Sequence, residues 1–386
     1  MRYGLQGRKG TGHHRETVGR ETAWQKRSGL QTLIAMAMVV VLHFMTKSGS
    51  LPEAGNEAAG YLTGQNILAL LLESLCIVAV DVYVLISGYL GADREPRPQK
   101  AAAFLLRIWF YSLLIPLVLT VFSVPTKAGE QGIYGLVQYF LPIESETYWF
   151  ATCYLFLLLL MPLCNLAVKH MEKKTFETIM LFFFIISSLI KSICPVRLPA
   201  DRFGYDALWF VFVYLLGVYL RKYGTAAWEK RGGLLYRGSV LLIFFMEFVL
   251  QLFSARTGAL TYYASVQFHY NFVFCLTGAV GLFYVFLRKT AAEGKKADVI
   301  RFLGRYSFGV YLFHEHPDIR DRWYPLIDRV MDPYGKNSLI LWLLKLIVSV
   351  FLIYGIGIFL DFARDKIFIF AGSCIRNIRE RKGAAR

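Results

Sequence analysis

The sequence is short of charge and has no organised cysteine. Only 18% of its 386 residues are charged, against 56% hydrophobic and 16% aromatic. A soluble domain of this size has no use for so much apolar surface, so the composition excludes one. The six cysteines (Cys76, Cys153, Cys164, Cys194, Cys275 and Cys374) have no paired spacing and lie mostly in apolar runs, which points to neither a disulfide framework nor a zinc module. Residues 1–28 are polar and basic without an apolar core, so they do not read as a signal peptide but as a disordered cytoplasmic tail. No internal repeat is visible. Nor do Gly/Pro-broken apolar segments recur in matching halves, the usual mark of a secondary transporter.

What the sequence does have is long apolar runs. A helix needs roughly 20 apolar residues to cross a bilayer core of about 30 Å. Ten stretches qualify, at about 30–47, 66–91, 101–124, 147–168, 176–194, 206–220, 238–254, 266–287, 301–316 and 338–361, the last able to run on to Ala371. Residues 131–142 read as an interfacial segment. The expected fold is all-α: a polytopic membrane protein with about ten transmembrane helices, its membrane domain at 29–371 lying between basic tails at 1–28 and 372–386. With the amino terminus inside, Lys and Arg divide 31 to 10 between inner and outer segments, so both termini are expected in the cytoplasm and the protein in the cell membrane. The net charge of +16 then suits anionic lipid against the inner loops, with no nucleic acid implied.

Few ionisable residues interrupt these spans, and each is costly in hydrocarbon. The first span, QTLIAMAMVVVLHFMTK (31–47), carries His43, about 20 Å from the helix start near Leu30. It reads as either a functional histidine or a structural, hydrogen-bonded one. The second span runs inward and places Asp81 about 15 Å above its inner end, where a carboxylate needs a partner. Ser87-Gly88 on the same span lets another helix or a ligand approach closely. In the ninth span His314 lies about 20 Å up from Arg301, at much the same depth as His43. Glu315 and His316 follow at the outer surface. The run His314-Glu315-His316 suggests a metal, but helical neighbours point different ways and no i, i+4 histidine pair exists, so no metal is expected. Arg107 sits one to two turns inside the third span, either as an interfacial anchor within snorkelling reach of the cytoplasm or as a phosphate contact. Tyr148-Trp149-Phe150 open the fourth span, as an aromatic belt or as a stacking surface for sugar.

Five stretches then add up: LIAMAMVVVLHF (33–44), AVDVYVLISGYLGA (79–92), YWFATCYLFLLLLMPLCN (148–165), WFVFVYLLGVYLRKY (209–223) and RYSFGVYLFHEHPDIR (305–320). Together they resemble the membrane-bound acyltransferase 3 family, in particular the bacterial enzymes that O-acetylate cell-surface polysaccharides. The resemblance implies ten helices, acetyl-CoA as a cytoplasmic donor substrate with no other cofactor, and a sugar hydroxyl as acceptor. It implies His43 as the central catalytic residue. It also brings Tyr311, Glu315 and Ser87 beside Tyr148 and Trp149 as candidate substrate contacts. One position departs from the family. An arginine is usual eleven residues before the histidine, and here that position is Thr32, preceded by Gln31. The nearest basic residues are Lys26 and Arg27, so either these or Arg107 take over the role, or the donor site is altered.

Acyl transfer to an alcohol needs a base for the hydroxyl proton and stabilisation of the tetrahedral oxyanion. On this reading His43 accepts the sugar hydroxyl proton, or briefly carries the acetyl group, and either His314 or Asp81 orients it. The donor's pantetheine arm threads up from the cytoplasm while its phosphates stay near Arg107 and Arg305. Two other classes compete: a glycolipid transporter or flippase with His43 and Asp81 as a proton relay, which the missing repeat disfavours, and an inactive scaffold of a polysaccharide-synthesis complex, which Thr32 keeps open.

Overall fold

Helices are the only regular elements among the residues described by the computed structural model, which are 10–55, 62–92, 98–194, 201–288, 294–335 and 338–384, with side chains from residue 29 on except at 98, 375–376, 378–379 and 381–384. Helix α1 spans Gly10–Lys47 and so begins inside the stretch expected to be a disordered tail. The second span is broken at Ile77-Val78 into α2 (Gly64–Cys76) and α3 (Ala79–Gly91). Thr63 starts α2 with a reciprocal capping box: its hydroxyl accepts from the Asn66 N–H while the Asn66 side chain accepts from the Thr63 N–H. Then come α4 (Pro98–Val121) and two short helices, α5 (Lys127–Gln131) and α6 (Ile133–Phe140), where the interfacial segment was expected. Helix α7 (Trp149–His170) is followed by α8 (Lys173–Phe184), which passes through one π-helical turn into α9 (Ile190–Ile193). The rest is α10 (Ala207–Tyr223), α11 (Ala226–Thr257), α12 (Val273–Arg288), α13 (Gly294–His314), α14 (Trp323–Met331) and α15 (Leu339–Ala384).

Eight helices among the described residues are long and apolar enough to cross a membrane. The other two expected spans, 206–220 and 301–316, fall in α10 and α13. Helix α10 has only 17 residues, and α13 carries Lys295, Lys296, Arg301 and Arg305. Helix α10, apolar along ALWFVFVYLLGVY, differs only in being short, and the position of α13 accounts for its charges. Helix α10 packs on α3 and α7, and α13 lies between α1 and α15. A helix walled in by other helices does not need an apolar surface all round. The peripheral helices do: Leu106, Leu113 and Leu117 on α4, Leu181 and Phe182 on α8, Leu241 and Phe245 on α11, and Ile340, Ile347 and Phe351 on α15 all stand exposed. A continuous apolar exterior of this extent is the lipid-facing surface of a membrane protein.

Two close crossings set the interior. Gly88 on α3 sits against the Tyr214 carbonyl and the Gly217 Cα of α10, and any Cβ there would collide with that backbone. Helix packing is thus the use of the small Ser87-Gly88 pair at Gly88. Gly304 on α13 meets the backbone of Gly29 on α1 in the same way. Helices α1 and α13 leave that contact in the same direction, so their carboxyl-terminal ends meet again at the other end of the bundle. Helix α15 runs antiparallel to α1, tied by Tyr354 Oη to the Leu33 carbonyl at 2.5 Å and by Trp342 Nε1 to Ser50 Oγ at 2.7 Å. The end where α1 and α13 finish is called the histidine end below. The opposite end, where Arg221, Lys222, Arg288, Lys295 and Lys296 gather at helix termini, is the basic end.

Candidate active site

His43 lies near the last turn of α1 and His314 is the last residue of α13, so the parallel packing of the two helices brings their rings to 5.0 Å between centroids. His43 Nδ1 is 2.7 Å from His314 Nε2, and His314 Nδ1 is 2.6 Å from the Val310 carbonyl, one turn back on its own helix. These contacts fix the tautomers. A carbonyl only accepts, so His314 Nδ1 carries a proton and, in the neutral ring, His314 Nε2 is a lone pair. His43 Nδ1 must then donate to it, which leaves the lone pair of His43 on Nε2. His314 is fully buried, whereas His43 keeps 22% of its side chain exposed.

Glu315 joins this pair. Its Oε1 is 3.2 Å from His43 Nδ1 and makes no hydrogen bond among the described residues. The argument that helical neighbours point apart does not reach Glu315, because α13 ends at His314 and Glu315 belongs to the turn that follows. The ligand atoms of His43, His314 and Glu315 all lie within 4.8 Å of one another. His316 points elsewhere. Its Nδ1 accepts from the Asp318 N–H at 3.1 Å, and its ring stacks on Tyr139. Asp318 in turn accepts from Tyr139 Oη at 2.7 Å and from the Lys127 N–H at 2.6 Å. The α5–α6 segment is thereby fastened to the turn after α13, and this holds Glu315 in place.

Below the histidines is a narrow cavity of about 20 Å³, room for about one water, whose walls include His43, Tyr83, Trp149, Phe150, Tyr270 and Tyr311. Trp149 stacks on Tyr270 with ring centroids 5.6 Å apart and packs on Tyr205 at 4.5 Å. Tyr311 is buried and its hydroxyl finds no acceptor among the described residues. Tyr148 is turned away from this cavity. It is fully buried, and its hydroxyl donates to the Leu312 carbonyl at 3.2 Å, which fastens the start of α7 to α13. Ser87 donates to the Tyr83 carbonyl at 3.0 Å and lies 2.9 Å from Tyr154 Oη, on the side of the cavity towards the basic end.

The remaining candidates lie apart from the histidines. The Asp81 carboxylate accepts from Trp209 Nε1 at 2.9 Å, with the Cys275 thiol at 4.0 Å, so its partners are on α10 and α12 and not on α1. Arg107 is tied into the bundle, with 18% of its side chain exposed. Its guanidinium stands over the Phe308 ring at 5.0 Å, six residues before His314. Its fork is engaged by the fully buried Asp361, with Nε to Oδ1 at 3.0 Å and Nη2 to Oδ2 at 2.5 Å. Arg364 shares the same carboxylate at 2.7 Å, and Tyr111 Oη donates to it at 3.4 Å. Arg305 is 66% exposed and pairs with Asp365 at 3.0 Å. The backbone of Arg27 belongs to α1, but its side chain lies outside the described residues. At the position where the resemblance expects arginine, Thr32 Oγ1 donates to the Gly29 carbonyl at 3.1 Å and its own carbonyl accepts from Tyr83 Oη at 2.8 Å. Gln31 beside it is 1% exposed, and neither amide atom has a partner among the described residues.

Comparison with known proteins bears on this geometry. A family model described as an acyltransferase domain matches residues 33–360, nearly the whole chain, and includes His43, Tyr311, His314 and Glu315. No curated protein and no solved structure matches the chain significantly.

Proposed function

The chain belongs to this acyltransferase family, a membrane acyltransferase by its helices, and on that premise we propose that it moves an acetyl group from cytoplasmic acetyl-CoA to a hydroxyl of a surface or lipid-linked polysaccharide sugar. One observation carries the reading: the relay from His43 Nδ1 through His314 to the Val310 carbonyl leaves a lone pair on His43 Nε2. A base held in one tautomer by a group behind it is what acyl transfer to an alcohol requires.

The chemistry then runs through this chain's own atoms. His43 Nε2 takes the proton of the acceptor hydroxyl as its oxygen attacks the thioester carbonyl carbon. The positive charge on the imidazolium is supported by the Glu315 carboxylate 3.2 Å from Nδ1. The Tyr311 O–H is the group available to donate to the oxyanion, since it has no acceptor of its own and lines the same cavity as His43. When the carbon–sulfur bond breaks, His43 returns the proton to the CoA thiolate. Trp149 and Tyr270, stacked on each other, form the apolar wall beside the base that the acceptor sugar would meet as the cavity opens to it. The 31 to 10 division of Lys and Arg supports a basic end in the cytoplasm, and Arg305 is an exposed guanidinium there for the donor's phosphates. The reacting atoms would then lie towards the outer face, where a surface glycan is reached.

The test uses full-length protein in lipid nanodiscs with labelled acetyl-CoA and a glycan acceptor, alongside surface-glycan O-acetylation in cells with and without the gene. Wild type is expected to release CoA and label the glycan, and His43→Ala to insert normally yet lose transfer by about 10²–10⁴-fold. An inserted His43→Ala protein with near-full transfer would make His43 structural and sink the mechanism. Wild type that never consumes acetyl-CoA would sink the donor.

A further inference from the structure

We propose that His43, His314 and Glu315 form a binding site for a divalent transition metal of the zinc class, and that occupancy of the site switches transfer off. The inference rests on the reading of His43 Nε2 as the base. Three atoms able to ligate a metal converge here: His43 Nδ1 once deprotonated, His314 Nε2 and Glu315 Oε1, all within 4.8 Å of one another. In the metal-free arrangement they have one proton among them, on His43 Nδ1, and it is given to His314. Glu315 Oε1 is left without a hydrogen bond although Nδ1 is only 3.2 Å away. A cation would satisfy all three at once.

The remaining features are those of a metal site. The outer nitrogen of His314 is fixed by the Val310 carbonyl at 2.6 Å, the kind of contact that orients a ligating imidazole. Two imidazole nitrogens and one carboxylate oxygen suit zinc and its neighbours, whereas calcium and magnesium prefer oxygen throughout. Zn–N and Zn–O distances of about 2.0–2.2 Å in a tetrahedron put donors about 3.3 Å apart, so Nδ1–Oε1 already fits and the 2.7 Å Nδ1–Nε2 separation must open by about 0.6 Å. His43 keeps 22% of its side chain exposed, so an ion would approach from its side, while Glu315 Oε1 itself is buried. The cation nearest in sequence, Lys47, is paired with Asp321 at 2.6 Å.

Metal binding has a direct consequence for the base. The ion needs the lone pair of His43 Nδ1, so the proton there must leave and the neutral ring must carry one on Nε2 instead. Nε2 can then no longer accept the acceptor's proton. The metal is therefore a reversible inhibitor acting at the histidine end of the bundle.

The experiment titrates chelator-treated full-length protein in nanodiscs with Co²⁺, read by its visible tetrahedral d–d bands, and with Zn²⁺, read by calorimetry and by acetyl transfer. Wild type is expected to show the bands, to bind zinc at one site, and to stop transferring acetyl with zinc and resume with chelator. His314→Ala and Glu315→Gln should each weaken zinc at least by the roughly 10–100-fold that loss of an outer-shell partner costs. His170→Ala, a change at a distant surface histidine, should leave binding unchanged. Absence of the bands in wild type, or bands that persist undiminished in both ligand variants, overturns the site. Bands together with transfer that ignores saturating zinc overturn the inhibition. Bands in a protein that never transfers acetyl uphold the metal site while the proposed function falls, and transfer without bands does the reverse.

Discussion

Helix α13 runs past two clusters of ionisable side chains, shared with α1, α4 and α15, that are built on opposite terms. Towards the basic end, Arg107 and Arg364 share the buried carboxylate of Asp361, while Asp365 takes both Arg305 and the Tyr306 hydroxyl at 3.0 Å. Each of these carboxylates is matched by more than one donor. At the histidine end, the three converging atoms share one proton, Glu315 Oε1 makes no hydrogen bond, and the neighbouring Tyr311 hydroxyl has no acceptor. A buried charge with its partners in place holds helices together, and removing either partner leaves the other stranded. A buried polar atom left unmatched costs stability, and it persists where something else comes to meet it. The difference separates architecture from chemistry along a single helix, and four substitutions test it.

The largest effect is expected from breaking the saturated cluster. Arg107→Ala leaves the fully buried Asp361 with Arg364 as its remaining guanidinium, so the cost should stay below the roughly 3–5 kcal/mol of a buried carboxylate left wholly unpaired. Thermal unfolding in detergent should show a clear fall in Tm, and adding Asp361→Asn should recover part of it. Should Arg107→Ala melt like wild type and only raise the acetyl-CoA requirement, the guanidinium is a donor contact and the contrast between the clusters collapses.

Next comes the unmatched hydroxyl. Tyr311→Phe removes one O–H that has no acceptor among the described residues, so stability should hold or rise. If that O–H meets the oxyanion, kcat falls by about 10²–10³-fold, as for other oxyanion donors. A normal kcat, or a loss explained by unfolding, removes Tyr311 from the mechanism.

These two positions also mark what the sequence can and cannot disclose. The helical, membrane-spanning architecture is legible because hydrocarbon demands long apolar runs, and the depth of His43 and His314 follows from a fixed rise per residue. Two of the expected spans differ from the rest for separate reasons: α10 is short, and α13 carries charges while packed between α1 and α15. The pairing of Arg107 with Asp361 bridges 254 positions between α4 and α15, and nothing local announces it. Asp81 likewise needs a partner on any reading, but only the α3–α10 crossing at Gly88 identifies Trp209. The place of Glu315 turns on whether α13 stops at His314 or one residue later, a boundary that periodicity does not fix. In the sequence, Gln31 stands out only as the neighbour of Thr32. Its unmatched amide is a property of packing.

A smaller effect is expected at the exposed edge of the basic end. Arg305 is 66% exposed and its pairing with Asp365 is of the weak surface kind, so Arg305→Ala should move stability by no more than about 0.5 kcal/mol. If the donor's phosphates rest there, losing one charge-assisted contact costs about 1.5–3 kcal/mol, which is about ten- to a hundredfold in the acetyl-CoA concentration for half-maximal rate. Unchanged donor dependence in Arg305→Ala would move the phosphates to another cation.

The smallest effect, and the finest test, is Thr32→Arg. Thr32 lies eleven residues before His43, about 16 Å along α1 towards the basic end. Its side chain bonds back to the Gly29 carbonyl, an intrahelical contact that costs little to lose, while the backbone carbonyl that receives Tyr83 Oη is untouched by the substitution. A guanidinium here would add a positive charge between the basic end and the cavity, on the path proposed for the donor. Its attraction for phosphate is offset by partial desolvation, so the gain in donor affinity should stay below about tenfold, or about 1.4 kcal/mol, with the maximal rate unchanged. Steady-state kinetics at varied acetyl-CoA on the inserted variant measures it. If Thr32→Arg instead raises the donor concentration required, the path has been rebuilt around neutral groups. The unmatched amide of Gln31 would then be the contact that replaces the charge, and Gln31→Leu should weaken the donor where Arg305→Ala does not.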